Sequence, residues 1–282
     1  MSTLNGYARP VGSSGSSSGV PGADHTYVTS DNPHFVWSCF GEPSGGTLIC
    51  QGFGDSSIAN CLSRPNSEAG IKYGITGVCH QAANRILYPG EVVVSFAQGY
   101  WASFYLYGTY GDITAESFGE WRRRKEDCGA RHVASPASKI ESNSRNTPEK
   151  IYNQRIIDLY YKKEYISTNP DHLLKKELEY MLEFRLGGEL DLQIINLVKK
   201  QRADLLKEKE NKVNELYNGD ISTEKYVKEI NDIVGDTLIS LQEKLGKNIY
   251  EKIFELSSSK ESFILIDPEI AKNSLKINTN HK

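Results

Sequence analysis

Residues 73–87 read YGITGVCHQAANRIL, and this stretch predicts a helix that begins next to a cysteine. Thr76 is one of the residue types that cap helix N-termini, and it stands just before Cys79. Apolar residues at helical spacing predict the buried face of this helix: Val78, Ala82, Ala83, Ile86 and Leu87. Because alanine side chains are small, this face favours close packing on a sheet. We therefore expect Cys79 in the first turn of a helix that packs on a sheet.

Cys79 has the sequence context of a cysteine nucleophile. A thiol in the first helical turn lies at the positive end of the helix dipole, which favours its thiolate form. A nucleophile also needs a base from elsewhere in the fold. The alternative interpretation is a small buried residue, which free cysteines commonly are, but the glycine-containing turn and the helix start favour the nucleophile. For the other four cysteines the buried-residue interpretation stands: Cys39, Cys50, Cys61 and Cys128.

The chain has two halves that differ in composition. Residues 25–115 are rich in glycine, aromatic and β-branched residues. Within them, short runs separated by glycine or proline predict strands at 25–29, 34–40, 47–50, 91–96 and 99–108. This half is therefore expected to be an α+β domain, in which a small antiparallel sheet packs on the cysteine-bearing helix.

The other segments differ from this domain. Residues 1–24 are rich in Ser and Gly and predict a flexible tail, and residues 116–146 predict a linker. Residues 147–260 carry apolar residues at helical spacing among many Lys and Glu, which predicts an all-α helical hairpin or bundle. Residues 261–282 are expected to form a C-terminal tail. Nothing in the helical region predicts catalysis.

The base for Cys79 is expected to be a histidine. His80 adjoins Cys79 but points about 100° away around the helix, so it is a poor partner. His25 and His34 each begin a strand-like run, and a strand can aim an imidazole at the helix N-terminus. Each is also interpretable as an ordinary surface or core histidine. The remaining three lie in the linker, at the start of a bundle helix and in the C-terminal tail: His132, His172 and His281.

A histidine on a strand, followed by a cysteine that opens a helix, resembles the order in circularly permuted papain-like families, which include NlpC-like, LRAT-like and PPPDE proteins. The resemblance covers residues 25–110. It implies that Cys79 is the nucleophile, that His25 is the general base and that His34 orients the imidazole. Tyr73 stands at a position similar to that of an oxyanion-hole side chain in papain-like enzymes, and the Cys79 backbone N–H is implied as the other donor.

Two further polar residues are candidates for the site. Asp55 is the alternative to His34 as the residue that orients the base. Asn84 follows Cys79 by one to two helical turns, so it is expected either to bind a substrate group or to hold a neighbouring loop.

These residues predict a cysteine-dependent hydrolase or acyltransferase of thiol-protease or amidase type, with no cofactor. It would act on an amide, isopeptide or thioester bond of a peptide or acyl-bearing substrate. The alternative is a non-enzymatic binding module whose helical half recruits a protein partner. A third possibility is a metal site with ligands among Cys39, Cys50, Cys61 and His25, although no CxxC pair occurs.

The composition of the chain narrows the classes of protein to be considered. The net charge is -3 and hydrophobic residues make up 38%, which favours a globular protein over a nucleic-acid-binding one with a basic face. No apolar run approaches the roughly 20 residues that span a bilayer, and the N-terminus lacks the pattern of a secretory signal. We therefore expect a cytoplasmic protein, with export by a signal-less route as the alternative. An odd number of cysteines makes a disulfide framework unexpected there.

Overall fold

The computed structural model describes residues 1–10, 22–112, 116–130, 147–161, 170–187, 191–257 and 263–275. In this part of the chain, a four-stranded antiparallel sheet is combined with ten α-helices, and the C-terminal half is helical. The predicted α+β fold class is thus confirmed. No helix among the same residues is long and apolar enough to cross a membrane.

The sheet consists of β1 (Ser2–Arg9), β2 (His25–Asp31), β3 (His34–Trp37) and β4 (Thr47–Gly54), in the order β3-β2-β1-β4. All neighbouring strands are antiparallel. β1 therefore lies inside the sheet, and its Leu4 and Ala8 are buried. The flexible tail predicted for residues 1–24 is wrong for the β1 segment, because strand pairing on both sides orders it despite its linker-like composition. Residues 11–21 lie outside the described residues.

The first half contains α1 (Ser56–Leu62), α2 (Cys79–Leu87), a 3₁₀ turn (Tyr88–Gly90), α3 (Tyr100–Tyr107) and α4 (Glu116–Asp127). As predicted, α2 packs on the sheet, where it contacts β2. The strand predicted at 99–108 is wrong, since this segment forms α3. All eight residues of α3 are buried, so its sequence lacks a polar face, and its many aromatic residues favour a strand by propensity alone. The segment 91–96 forms no strand either.

The second half contains α5 (Pro148–Tyr161), α6 (Pro170–Leu186), α7 (Leu192–Tyr217), α8 (Thr223–Leu245), α9 (Lys247–Phe254) and α10 (Pro268–Ser274). α7 and α8 pack together as a long hairpin, and α8 begins where the Ser222 hydroxyl accepts a hydrogen bond from Lys225 N at 3.2 Å. α10 lies in the segment that was predicted as a C-terminal tail, so that expectation is corrected.

The two halves share one hydrophobic core. The Tyr105 hydroxyl in α3 donates a hydrogen bond to Val198 O in α7 at 2.7 Å. Arg202 of α7 donates back to the carbonyl oxygens of Tyr105 at 2.9 Å and Phe104 at 3.3 Å. The predicted boundary between an α+β domain and a helical domain therefore does not separate two cores.

One disulfide joins Cys61 in α1 to Cys128 just after α4, with the two Cα atoms 5.8 Å apart. Cys39, Cys50 and Cys79 are free. A disulfide was unexpected from the sequence, and the prediction that Cys61 and Cys128 are simply buried residues is corrected. The two bonded residues are 67 positions apart in the sequence, so only the packing of α1 against α4 brings them together.

Candidate active site

Cys79 is the first residue of α2. The preceding Val78 has an extended backbone and is the N-cap residue, and its N–H donates to the Gln81 side chain at 3.0 Å. Thr76, the predicted cap, instead accepts a hydrogen bond from Lys72 N at 2.9 Å. The Cys79 residue is 3% exposed. Because Cys79 occupies the first helical position, its backbone N–H has no acceptor within the helix.

The turn before Cys79 is held from both halves of the molecule. The Gly74 carbonyl oxygen accepts hydrogen bonds from the hydroxyls of Tyr107 at 2.7 Å and of Tyr226 at 2.9 Å. Gly74 has a φ of +76°, and a Cβ at this position would lie 3.0 Å from the Ile266 side chain. Glycine is therefore required here both by the left-handed backbone and by the close approach of Ile266.

His25, the first residue of β2, faces Cys79. Its Nε2 atom lies 3.4 Å from Asp267 Oδ2. Its Nδ1 atom is buried and has no hydrogen-bond partner among the described residues. Burial alone would lower the pKa of His25, but hydrogen bonding to the side chains of Asp267 and Cys79, together with their charges, raises it to about 9. A pKa in this range keeps the imidazole protonated at neutral pH.

Asp267 is the carboxylate beside His25, and the sequence did not reveal it. The hydrogen bond from His25 holds the pKa of this carboxyl below its usual value, against the opposing effect of burial. Its other oxygen, Oδ1, caps α10 by accepting hydrogen bonds from Glu269 N at 2.8 Å and Ile270 N at 3.2 Å. Asp267-Pro268-Glu269 is a typical helix-start signature. That signature predicts α10 but contains no information that links it to His25.

Asp267 is the last residue of the segment 263–267, which we call the Asp267 strap. The Asn231 side chain on α8 accepts hydrogen bonds from Leu265 N at 3.0 Å and Ile266 N at 2.9 Å, and it donates to Ile266 O at 2.9 Å. On the other side of the strap, Ala23 N donates to Ile264 O at 2.9 Å. The helical half therefore holds the carboxylate beside His25, a contact that the sequence of this half did not predict.

The segment that precedes His25 also contacts the thiol. The Cys79 thiol donates a hydrogen bond to the main-chain carbonyl oxygen of Asp24, with an Sγ–O distance of 3.3 Å. Asp24 is in turn anchored to Gln98, since its N–H donates to Gln98 O and its carboxylate accepts from Gln98 N, each at 2.9 Å. The loop before α3 therefore fixes the residue whose carbonyl oxygen contacts the sulfur.

Tyr73 lies close to the site, as predicted, but its contact differs from the expected one. The Tyr73 hydroxyl accepts a hydrogen bond from Asp267 N at 3.1 Å. Burial, followed by the charge of Cys79, raises the pKa of this phenol well above its usual value, so it stays protonated. One lone pair of the oxygen holds the Asp267 strap, and the O–H hydrogen is retained for donation. Tyr73 is thus a positioning residue for Asp267 and still a candidate oxyanion donor.

His34 and Asp55 are not brought to Cys79. His34 is exposed and pairs with Asp31 at the far end of β2, about 20 Å from His25 at the strand rise per residue. Asp55 caps α1 by accepting a hydrogen bond from Ser57 N at 2.7 Å. It follows β4 at the end that pairs with the start of β1, whereas His25 pairs with the end of β1. Both residues therefore lie at the opposite end of the strands from His25.

Asn84 and His80 have structural contacts. The Asn84 amide donates to Thr109 O at 2.8 Å and accepts from Val94 N at 2.9 Å. It thereby holds neighbouring loops, which was one of its two predicted roles, and is not directed at a substrate. His80 is fully buried against the Ser103 hydroxyl at 2.8 Å. Burial lowers the pKa of His80 to about 3, so this imidazole is neutral.

The alternative of a metal site gains no support from these contacts. No group of three or more His, Cys, Asp or Glu side chains is arranged to hold a metal ion in the described part of the chain. Of the residues considered as ligands, Cys61 is bonded to Cys128, and His25 faces Asp267.

Comparisons with known proteins gave no relative. No protein-family model, no curated protein and no solved structure matches the chain. The resemblance to permuted papain-like families therefore stays a prediction, which rests on the residues and contacts of this chain.

Proposed function

We propose that this protein is a cysteine-dependent hydrolase or acyltransferase that acts on an amide, isopeptide or thioester bond. In this proposal Cys79 is the nucleophile, His25 is the general base and acid, and Asp267 orients the imidazole. One observation supports the proposal most strongly. A helix-opening thiol, a histidine with a raised pKa and a carboxylate form one chain of contacts, although they come from distant parts of the sequence.

In the proposed reaction the attacking group is the Cys79 thiolate beside the His25 imidazolium, because the thiolate and not the thiol is the nucleophile. The Cys79 sulfur bonds to the substrate carbonyl carbon, and the C=O electron pair moves to the oxygen. The Cys79 N–H donates a hydrogen bond to this oxyanion. The oxyanion then collapses, the bond to the leaving amine or thiol breaks, and the His25 proton passes to the leaving group.

The second half of the proposed reaction regenerates the enzyme. His25 removes a proton from water, or from an acceptor nucleophile in an acyltransferase, and the oxygen or nitrogen so activated attacks the thioester carbonyl. The C–S bond breaks and the thiolate returns beside an imidazolium. Asp267 stabilises this imidazolium and keeps the ring oriented, which is the role of the acidic member of a catalytic triad.

The reactivity of the three free cysteines tests this proposal. Burial raises the pKa of Cys39 well above its usual value and that of Cys50 to about 12, so both are internal references for unreactive thiols. The protein is treated with limiting iodoacetamide at pH 7, and the modified positions are quantified by mass spectrometry. We expect Cys79 to be alkylated at least about tenfold faster than the other two, and a His25→Ala variant to lose this advantage. Uniformly slow alkylation would contradict the proposal and favour a non-enzymatic binding module.

We also infer that the protein works in an oxidising compartment, which supports export over a cytoplasmic location. The Cys61–Cys128 disulfide is the observation behind this inference, because such bonds persist outside the reducing cytoplasm. In the chain-entropy model, a loop of this length stabilises the fold by about 4 kcal/mol. To test this inference, protein is taken from its native compartment and alkylated under non-reducing conditions. If Cys61 and Cys128 were found reduced, and therefore alkylated, the inference would be contradicted.

A further inference from the structure

A cleft adjoins the proposed nucleophile. Its volume is about 590 Å³, and it lies between the residues before β2 and α3 on one side and helices α8 and α9 on the other. Asp24 lines this cleft, and the carbonyl of the same residue accepts the Cys79 thiol hydrogen bond at 3.3 Å. Asp24 is therefore a neighbour of both the cleft and the sulfur. The volume lies in the range typical of ligand sites.

The cleft offers both apolar surface and amide groups. Leu238, Ile239 and Phe263 contribute apolar surface, and Gln98 and Gln242 contribute side-chain amides. Phe96, another lining residue, is 54% exposed. The Gln98 side-chain N–H already donates to Gly22 O at 3.2 Å, but a hydrocarbon chain would offer no partner to the Gln98 side-chain oxygen or to the Gln242 amide, at a cost in free energy. A peptide satisfies them through its backbone and places a side chain on the apolar surface.

The charged residues that line the cleft are both acidic. The charged residues among those that line it are Asp24 and Glu255, and the described lining includes no Lys, Arg or His. The Glu255 carboxylate is 2.5 Å from Arg185 and accepts from Trp101 Nε1 at 3.2 Å, so its charge is partly compensated. The cleft therefore favours neutral or basic groups and disfavours acidic ones, by Coulomb interaction in a partly buried site.

We propose that this cleft binds the peptide segment of the substrate next to the scissile bond, with an apolar side chain on Leu238, Ile239 and Phe263, and that it excludes acidic residues. The proposal rests on the function proposed above, because it assumes that Cys79 attacks the bound segment. The helical half of the protein would thus select the substrate as well as fix Asp267.

Three peptidyl chloromethyl ketones test this proposal. They are Ac-Ala-Ala-Leu, Ac-Ala-Ala-Lys and Ac-Ala-Ala-Glu derivatives, from which a thiolate displaces chloride, and Cys79 labelling is followed by mass spectrometry. We expect the leucine probe to label Cys79 fastest and the glutamate probe to be slower than the lysine probe by about tenfold. In a Gln242→Lys variant we expect the order of the two charged probes to reverse. The matched control is Asn211→Lys, which adds the same charge at an exposed position outside the cleft and should leave the order unchanged.

Iodoacetamide distinguishes the two ways in which this experiment can fail. This reagent is too small to need the cleft, so its rate at Cys79 should be the same in the wild-type protein and in the Gln242→Lys variant. If Cys79 is inert towards iodoacetamide, the proposed function fails. If Cys79 reacts with iodoacetamide but the charged probes label it equally fast, or Gln242→Lys leaves their order unchanged, the cleft proposal alone is overturned.

Discussion

The N-terminal and C-terminal halves contribute to the candidate site in different ways. The first half places Cys79 at the start of α2 and His25 at the start of β2, so both residues are fixed by regular elements of the sheet layer. The second half supplies Asp267 from a short extended strap, which is held by side-chain contacts from Asn231 and Tyr73. The difference teaches that the positions of the proposed nucleophile and base follow from local structure, whereas the position of the proposed orienting acid depends on how the halves pack.

The largest effect is expected from the first half. Replacing Cys79 by Ala removes the nucleophile but little volume, so turnover of a peptide thioester should fall roughly 10⁴-fold or more, as it does when a covalent nucleophile is lost. The melting temperature should change little. A Cys50→Ser variant, which alters another free thiol, is the control and should keep its activity. Full activity of Cys79→Ala would contradict the proposed role of Cys79 as the nucleophile.

The second-largest effect on activity is expected at Asp267, which the second half contributes. Asp267→Asn removes the hydrogen-bonded charge that raises the pKa of His25, so that pKa should fall from its value of about 9. Because the imidazolium is the acid that protonates the leaving group, activity is lost as pH rises through the His25 pKa. The alkaline limb of the pH–rate profile should therefore move to lower pH, and the maximal rate should drop by about 10²-fold. An unchanged limb would show that Asp267 does not act on the base.

A smaller effect is expected at the contact between the strap and α8. Asn231→Leu leaves the buried N–H groups of Leu265 and Ile266 without an acceptor, which should cost about 2–4 kcal/mol of folding free energy. It should also lower kcat about tenfold through a displaced Asp267. Asn231→Asp keeps a side-chain oxygen as acceptor for both amides and should restore most of the activity. If Asn231→Leu lowers stability alone, with kcat and the pH profile unchanged, the strap does not position Asp267.

The smallest effect is expected at His34, the orienting residue implied by the family resemblance. His34→Ala changes an exposed side chain at the far end of β2, so kcat/KM and stability should stay within about twofold and about 0.5 kcal/mol of wild type. Kinetic measurements on this variant beside Asp267→Asn compare the two candidates directly. A loss at His34 that equalled the loss at Asp267 would reverse the assignment.

Local sequence signals predicted the parts of the site that lie on regular elements. The glycine-containing turn and the apolar spacing after Cys79 indicated the helix, and the strand-like run after His25 indicated β2. The prediction of Thr76 as the helix cap is wrong. The Gln81 side chain accepts a hydrogen bond from the Val78 N–H, which makes Val78 the N-cap and Cys79 the first helical residue.

The remaining parts of the fold depend on tertiary contacts. The segment Ser2–Arg9 has the composition of a tail but is ordered by strands on both sides, and Tyr100–Tyr107 has strand propensity but becomes a buried helix between the halves. Asp267 is separated from His25 by most of the chain. Because the sequence around each residue contains no signal of the other, their contact could not be predicted from a single sequence.

A pH titration of the His25 imidazole by NMR tests the central claim most directly, namely that Cys79, His25 and Asp267 form one site. The wild-type protein should show a His25 pKa of about 9, because hydrogen bonds to Asp267 and Cys79 outweigh the lowering effect of burial. The pKa should be lower in Asp267→Asn and in Cys79→Ala, since each variant removes a group that stabilises the imidazolium. A wild-type pKa at or below the ordinary histidine value of about 6.5, unchanged in both variants, would contradict the claim.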